Sequence, residues 1–172
     1  MKYKVLIMSD SHGLKKELLE IKQRHTFDAI IHCGDSELDF NAPELDGIYK
    51  VGGNCDFDPD YPEDQVLEIG DIRFYITHGH LHQVKTNLLR LSYRAEEVGA
   101  SIICFGHTHI AGAEKIGNRL FLNPGSVRLP RNRPEATYAI LEWEMKEDIH
   151  ITFYSTQGEI VEPLSKQVKW NS

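Results

Sequence analysis

The chain has 172 residues, a length that fits a single domain spanning 1–172 and that buries about 70% of the surface its unfolded form would expose. Disulfide staples are therefore unnecessary, and Cys33, Cys55 and Cys104, an odd number without a C-x-x-C pair, argue against both a disulfide framework and a thiolate zinc site. Hydrophobic residues at 41% and charged residues at 26% are ordinary for a soluble globular protein. The formal net charge of −7 disfavours an extended nucleic-acid surface. It leaves room for local phosphate binding if metal ions supply the positive charge.

In chain order, Tyr3–Met8 reads as a strand. Asp10 and His12 end its apolar run too early for a signal peptide. No apolar stretch approaches the roughly 20 residues a membrane span needs, so no membrane partner and a cytoplasmic location are expected. Leu14–Gln23 reads as a helix with Leu14, Leu18 and Ile21 on one face. Ala29–Cys33 is a second strand and Gly47–Val51 a third. Asp64–Glu68 and Ile72–Thr77 flank Gly70-Asp71 and predict a hairpin. Val84–Val98 predicts a helix ending at Gly99, which suits a C-cap. Ser101–Phe105 is a buried strand. Four further strands follow, at Ala111–Lys115, Arg119–Leu122, Ala136–Glu142 and Ile149–Tyr154, and the tail 166–172 is expected to be loosely ordered. Early βαβ units with later antiparallel strands predict an α/β fold of two sheets packed face to face, with helices outside.

Five polar motifs follow five predicted strands directly: Asp10-Ser11-His12-Gly13, Gly34-Asp35, Gly52-Gly53-Asn54-Cys55-Asp56, His78-Gly79-His80 and Gly106-His107-Thr108-His109. Ligands in open α/β sheets bind at the carboxyl ends of strands, and glycine lets the chain turn sharply where side chains must converge. Imidazole, carboxylate and amide oxygen suit Mn²⁺, Fe²⁺, Zn²⁺, Ni²⁺ or Co²⁺ better than Ca²⁺. The donors are too many for one mononuclear zinc site. Two ions roughly 3.5–4 Å apart would use them all.

Each residue also has an ordinary reading. A lone aspartate after a strand is usually a turn or N-cap residue, and only the set as a whole reverses that for Asp35. His80 is a candidate for the substrate cleft, whereas His82 can simply begin the next helix. His32, in an apolar strand, reads as a packing residue, and His25 and His150 as surface or strand residues. Asp56 suits either a turn or a hydrogen bond that orients a metal ligand. Arg128, Arg131 and Arg133 could bind phosphate but read slightly better as a solvated loop between prolines.

The motif series D-x-H, G-D, G-N-C-D, H and G-H-x-H, together with Asn123-Pro124-Gly125-Ser126, resembles the calcineurin-like metallophosphoesterase superfamily. The likeness is strongest to its small single-domain bacterial and archaeal phosphodiesterases. The resemblance implies a four-layer α-β-β-α sandwich of two mixed sheets. It implies that Asp10, His12, Asp35 and His109 hold one ion and Asp35, Asn54, His78 and His107 the other, with Asp35 bridging. The expected cofactors are two divalent ions, Mn²⁺ foremost. The expected activity is metal-dependent hydrolysis of a small phosphate ester, preferentially a diester, by a hydroxide the two ions activate. Serines 9, 11 and 126 are then not needed as nucleophiles. Leu38 stands where purple acid phosphatases have an iron-binding tyrosine, so no such site is expected. Cys55 stands where many relatives have histidine. The candidate catalytic group is Asp35, Asn54, Cys55 and His80. The alternatives are a phosphomonoesterase, or a protein-binding scaffold like the retromer subunit of this fold, which departs from the full ligand pattern. A homo-oligomer is compatible with the sequence.

Overall fold

Eleven strands and two α-helices make up the regular structure of residues 1–170, the residues that the computed structural model describes. The strands are β1 (Tyr3–Met8), β2 (Ala29–His32), β3 (Tyr49–Lys50), β4 (Asp64–Ile69), β5 (Ile72–Thr77), β6 (Ile102–Cys104), β7 (Gly112–Ile116), β8 (Arg119–Asn123), β9 (Thr137–Trp143), β10 (Asp148–Ser155) and β11 (Lys166–Lys169). The helices are α1 (Lys16–Arg24) and α2 (Leu89–Val98). One sheet has the order β11-β10-β9-β1-β2-β3 and the other β4-β5-β6-β8-β7. Both are mixed: β1, β2 and β3 run parallel, as do β5, β6 and β8, while β9 lies antiparallel to β1, β10 to β9 and β7 to β8.

Side chains alternate across a strand, and that alternation builds four layers. Val5 and Ile7 of β1 point into the core between the sheets, with Phe74 and Ile76 of β5, Leu120 and Leu122 of β8 and Trp143 of β9. Leu6 and Met8 point the other way and pack with Leu18 and Ile21 of α1. Tyr75, Ile103 and Phe121 leave the second sheet on its outer face and meet Leu91 and Ala95 of α2. The indole of Trp143, fully enclosed, donates to Asp71 Oδ1 at 3.2 Å, so its N–H is not left unpaired in the interior.

Several boundaries differ from the sequence-based expectation. The first helix begins at Lys16, because residues 11–14 form a turn closed by Leu14 N–H to the Ser11 carbonyl (3.0 Å). The second begins at Leu89: Gln83 adopts a left-handed φ of 51°, and Asn87 Oδ1 accepts the Leu89 N–H at 3.0 Å. It ends as expected at Gly99, whose φ of 69° lets its N–H cap the last turn. The third strand shrinks to Tyr49–Lys50, since only two residues pair with β2 before the turn that Asp56 N–H closes on the Gly53 carbonyl. Lys166–Lys169, expected as loose tail, pairs with β10 and buries Val168. Residues 171 and 172 of that expectation lie outside the described residues.

Candidate metal centre

The strands β1, β2 and β3 end at the same edge of the sandwich as β5, β6 and β8. The five polar motifs therefore meet there. Main-chain bonds tie them together: Asp10 N–H to the Gly34 carbonyl (2.9 Å), His12 N–H to the Asp35 carbonyl (2.9 Å) and Gly106 N–H to the His78 carbonyl (3.0 Å). Asp10, His12, Asp35, His107 and His109 all have positive φ, between 42° and 70°. For non-glycine residues this region is strained and persists only where the surroundings over-determine it.

Two clusters of donor atoms result. Asp10 Oδ1 lies 3.2 Å from His109 Nε2 and 3.8 Å from His12 Nε2, and the two Nε2 atoms are 3.3 Å apart. In the second cluster His78 Nε2 lies 3.1 Å from both Asp35 Oδ2 and Asn54 Oδ1. Asp35 also stands with His12 and Cys55 in a group whose donor atoms all lie within 4.8 Å. Its carboxylate therefore belongs to both sides of the centre. His107 is placed differently: its ring faces His78 at 5.1 Å between centroids, and its main-chain N–H donates to Asp10 Oδ2 at 3.1 Å.

The rings are aimed by their other nitrogens. His78 Nδ1 donates to the Cys33 carbonyl and His109 Nδ1 to the Leu129 carbonyl, each at 2.8 Å, and His12 Nδ1 pairs with Glu37 Oε1 at 2.8 Å. Each bond turns Nε2 inward as a lone pair. The unpaired acceptors that then converge on fully buried Asp10 Oδ1, itself without a well-aligned hydrogen bond, make a donor set that positive charge must neutralise. Divalent cations fit this arrangement.

Charge follows the same geometry. Burial opposes ionisation of Asp10, but when Nε2 of His109 and of His78 carries a proton instead of a lone pair, contact with His109 and the His78 charge outweigh it and hold the carboxyl below its ordinary pKa. Burial likewise opposes ionisation of Asp35, and contact with His78 reverses it. Burial pushes His78 down, but the adjoining Asp35 and Asp10 carboxylates raise it overall. His109 is raised chiefly by its bond to Asp10. His107 falls to about 4 through burial, the His78 charge and Lys85.

The other candidate residues sort as follows. Cys55 donates its N–H to Asp35 Oδ1 at 2.8 Å, and its thiol is pushed up to about 11 by burial and the Asp35 charge. The sequence argues against a thiolate donor, yet this sulfur stands within the His12–Asp35 group. His80 sits at the lip, 5.4 Å from the His78 ring and 6.1 Å from that of His107. Asp56 accepts the N–H groups of Asp35, Gly53 and Glu37 at 2.7–2.8 Å, so it joins two motif loops and is more than a local turn residue. His32 is not simply a packing group: it accepts the Gly34 N–H at Nδ1 (3.1 Å), and its Nε2 meets Ser11 Oγ (2.9 Å). Arg128 reaches the His12 carbonyl. Ser9 Oγ donates to Asp10 Oδ2 (2.6 Å) and Ser126 Oγ to the Asp10 carbonyl (2.7 Å), which occupies both hydroxyls in holding Asp10. Glu37 escaped the sequence reading; its position two residues after Asp35 was the signal available.

Residues 3–146 match the family model of the calcineurin-like phosphoesterase superfamily domain. The chain is 49% identical over 166 residues to the probable metallophosphoesterase YsnB of Bacillus subtilis, covering 95% of this chain and 98% of that protein. It is 29% identical over 143 residues to the phosphodiesterase MJ0936 of Methanocaldococcus jannaschii, covering 71% of this chain and 82% of the relative. A solved structure from Streptococcus pneumoniae, described as a predicted phosphoesterase, superposes with a TM-score of 0.94 at 38% identity and 99% coverage of both chains. Vacuolar protein sorting 29 of Cryptosporidium parvum, with a TM-score of 0.80 at 18% identity and 98% and 99% coverage, shares the fold alone.

Proposed function

The chain belongs to the calcineurin-like phosphoesterase superfamily, and on that footing we propose that it hydrolyses small phosphate diesters with two divalent ions, Mn²⁺ being the activator. The observation that carries the two-ion reading is Asp35, whose carboxylate is grouped with His12 and Cys55 on one side and lies 3.1 Å from His78 Nε2 on the other. Asp10, His12, Asp35 and His109 would hold one ion and Asp35, Asn54, His78 and His107 the other. Bound there, the ions supply charge to the phosphoryl oxygens and a water-derived nucleophile near neutral pH. The residues themselves hold geometry: Asp35 spans the centre, with His78 Nε2 3.1 Å from its Oδ2 and Asn54 Oδ1 3.1 Å from that nitrogen. Cys55 stands beside Asp35, its N–H on Oδ1 at 2.8 Å, and His80 lines the approach. The diester preference is supported by the phosphodiesterase relative.

The chain acts as one domain in this reading. No helix among the described residues is long and apolar enough to cross a membrane. Cytoplasmic work is part of the proposal, supported by three unpaired cysteines, since oxidising compartments favour disulfides. The test is elemental analysis after reconstitution, with turnover of paired phosphate mono- and diesters. Two ions per chain and faster diester cleavage are expected, and Asp35→Ala should abolish turnover even in excess metal, whereas His12→Ala should be partly rescued. Full activity with one ion at saturation, or wild-type turnover in Asp35→Ala, overturns the reading.

A further inference from the structure

The three proposed ligand histidines whose Nδ1 atoms are held do not have equivalent partners. His78 and His109 donate to neutral main-chain carbonyls, those of Cys33 and Leu129. His12 alone among them faces a carboxylate, Glu37 Oε1 at 2.8 Å. Glu37 is itself built into that position. Its φ of 56° lies in the left-handed region, and its N–H is held by Asp56 Oδ1 at 2.8 Å. The other Asp56 oxygen holds the N–H groups of Asp35 and Gly53. One carboxylate thus fixes the backbone from which a second carboxylate reaches His12, and neither is among the assigned ligands.

We propose that Glu37 is a positioning residue that sets the affinity of the His12 side of the centre separately from the His78 side. A carboxylate on Nδ1 locks the imidazole with its lone pair on Nε2 through a charge-assisted hydrogen bond, stronger than one to a neutral carbonyl. The His12 imidazole therefore leans on the Glu37 side chain for its orientation, whereas His78 draws its orientation from the backbone of β2's end. The inference rests on the two-ion reading, and it makes the two positions unequal by construction.

The experiment is calorimetric titration of the metal-stripped full chain with MnCl₂, for the wild type, Glu37→Ala, Glu37→Gln, His12→Ala and the Glu37→Ala/His12→Ala double variant. Wild type should show two sites, and Glu37→Ala should weaken one of them about 10–100-fold, the range for loss of a group that orients a ligand, leaving the other within twofold. Glu37→Gln keeps an acceptor for the Nδ1 proton and nearly the same shape. It should therefore fold as wild type and lose less affinity than Glu37→Ala at that same site. In the His12→Ala background, Glu37→Ala should cost no further affinity, because its partner is gone. Unchanged affinities in both Glu37 variants, an equal loss at both sites, or an additive double variant each overturn the inference while leaving two ions in the wild type. Fewer than two ions in the wild type overturns the two-ion reading, and this inference with it.

Discussion

Gly53 offers a severe test of the bridging role of Asp35. A Cβ at position 53 would lie 2.8 Å from Asp35 Cγ and 2.9 Å from its main-chain nitrogen, with Oδ1 nearer still. The Cγ contact falls about 0.6 Å short of ordinary van der Waals distance, which begins at 3.4 Å, and displacing atoms in a packed site on this scale costs about 1–3 kcal/mol. The carboxylate has nowhere to swing without loss, since Oδ1 accepts the Cys55 N–H at 2.8 Å and Oδ2 meets His78 Nε2 at 3.1 Å. Without metal it can yield by giving up one of those contacts. With metal it must stay within about 0.5 Å of its productive place. The loss should therefore fall most heavily on the loaded state: Gly53→Ala should bind Mn²⁺ ~10–100-fold more weakly, while the metal-free protein, crowded at the Asp35 main-chain nitrogen as well, loses only about 1–3 kcal/mol of stability. Thermal unfolding at several Mn²⁺ concentrations measures both quantities, because the metal-induced rise in Tm reports affinity. Gly112→Ala is the control, as nothing lies within 4 Å of a Cβ there. A Gly53→Ala protein with the wild-type metal-induced rise and wild-type turnover would refute the reasoning.

Two further outcomes follow from Cys55 and His32. With a thiol rather than an imidazole at position 55, a weaker proton donor to the leaving oxygen, activated aryl diesters should be cleaved much faster than alkyl diesters, and Cys55→Ser should change aryl turnover little. Cys55→His should raise turnover selectively on poor leaving groups, within the roughly 10²–10⁴-fold that general-acid help supplies; a rate independent of leaving-group pKa in the wild type would count against a missing acid. Buried His32 has its pKa lowered from 6.5 to about 4, chiefly by burial, so on acidification the unfolded chain takes up its proton first. This contribution is absent above pH 6.5 and destabilises progressively between pH 6.5 and about 4, reaching about 3 kcal/mol. Urea unfolding of the metal-free protein across that window should show a flatter profile for His32→Gln than for wild type, and parallel profiles would discard the assignment.

The layers were legible because the chain marks them by period. Leu18 and Ile21 at helical spacing, and Val5 and Ile7 against Leu6 and Met8 at strand spacing, each face the layer the pattern assigns. The meeting of the motifs was legible because each follows an apolar run. What the pattern did not reveal is set by backbone geometry or by polar contacts distant in sequence. The left-handed turn at Gln83 cut the second helix back, although Val84 and Leu88 carry apolar side chains that suit a helix. β11 escaped notice because Lys166–Lys169 is three-quarters polar, with only Val168 facing the core. Glu37 and Asp56 look like solvated acids in sequence; their partners, His12 and the Asp35 N–H, are 25 and 21 residues away.

The backbone conformation of the ligand residues links fold stability to site chemistry. Five of them, with Glu37, hold positive φ, and each such residue stores of order 1–3 kcal/mol of strain. Helix and strand propensity cannot supply that. The stabilisation comes from bonds between loops: Asp56 on three N–H groups, Ser126 on the Asp10 carbonyl, His32 between Ser11 and Gly34. The glycines belong to the same scheme, since a side chain at Gly34 would strike the His78 ring and one at Gly106 would strike Ser9 and Asp10. Loosening any of these contacts lets a ligand residue relax toward ordinary φ, and such a relaxation moves its donor atom out of the centre. The strain is thus carried by the same contacts that aim the donors, and variants in Asp56 or Ser126 should lose metal affinity before they lose the fold.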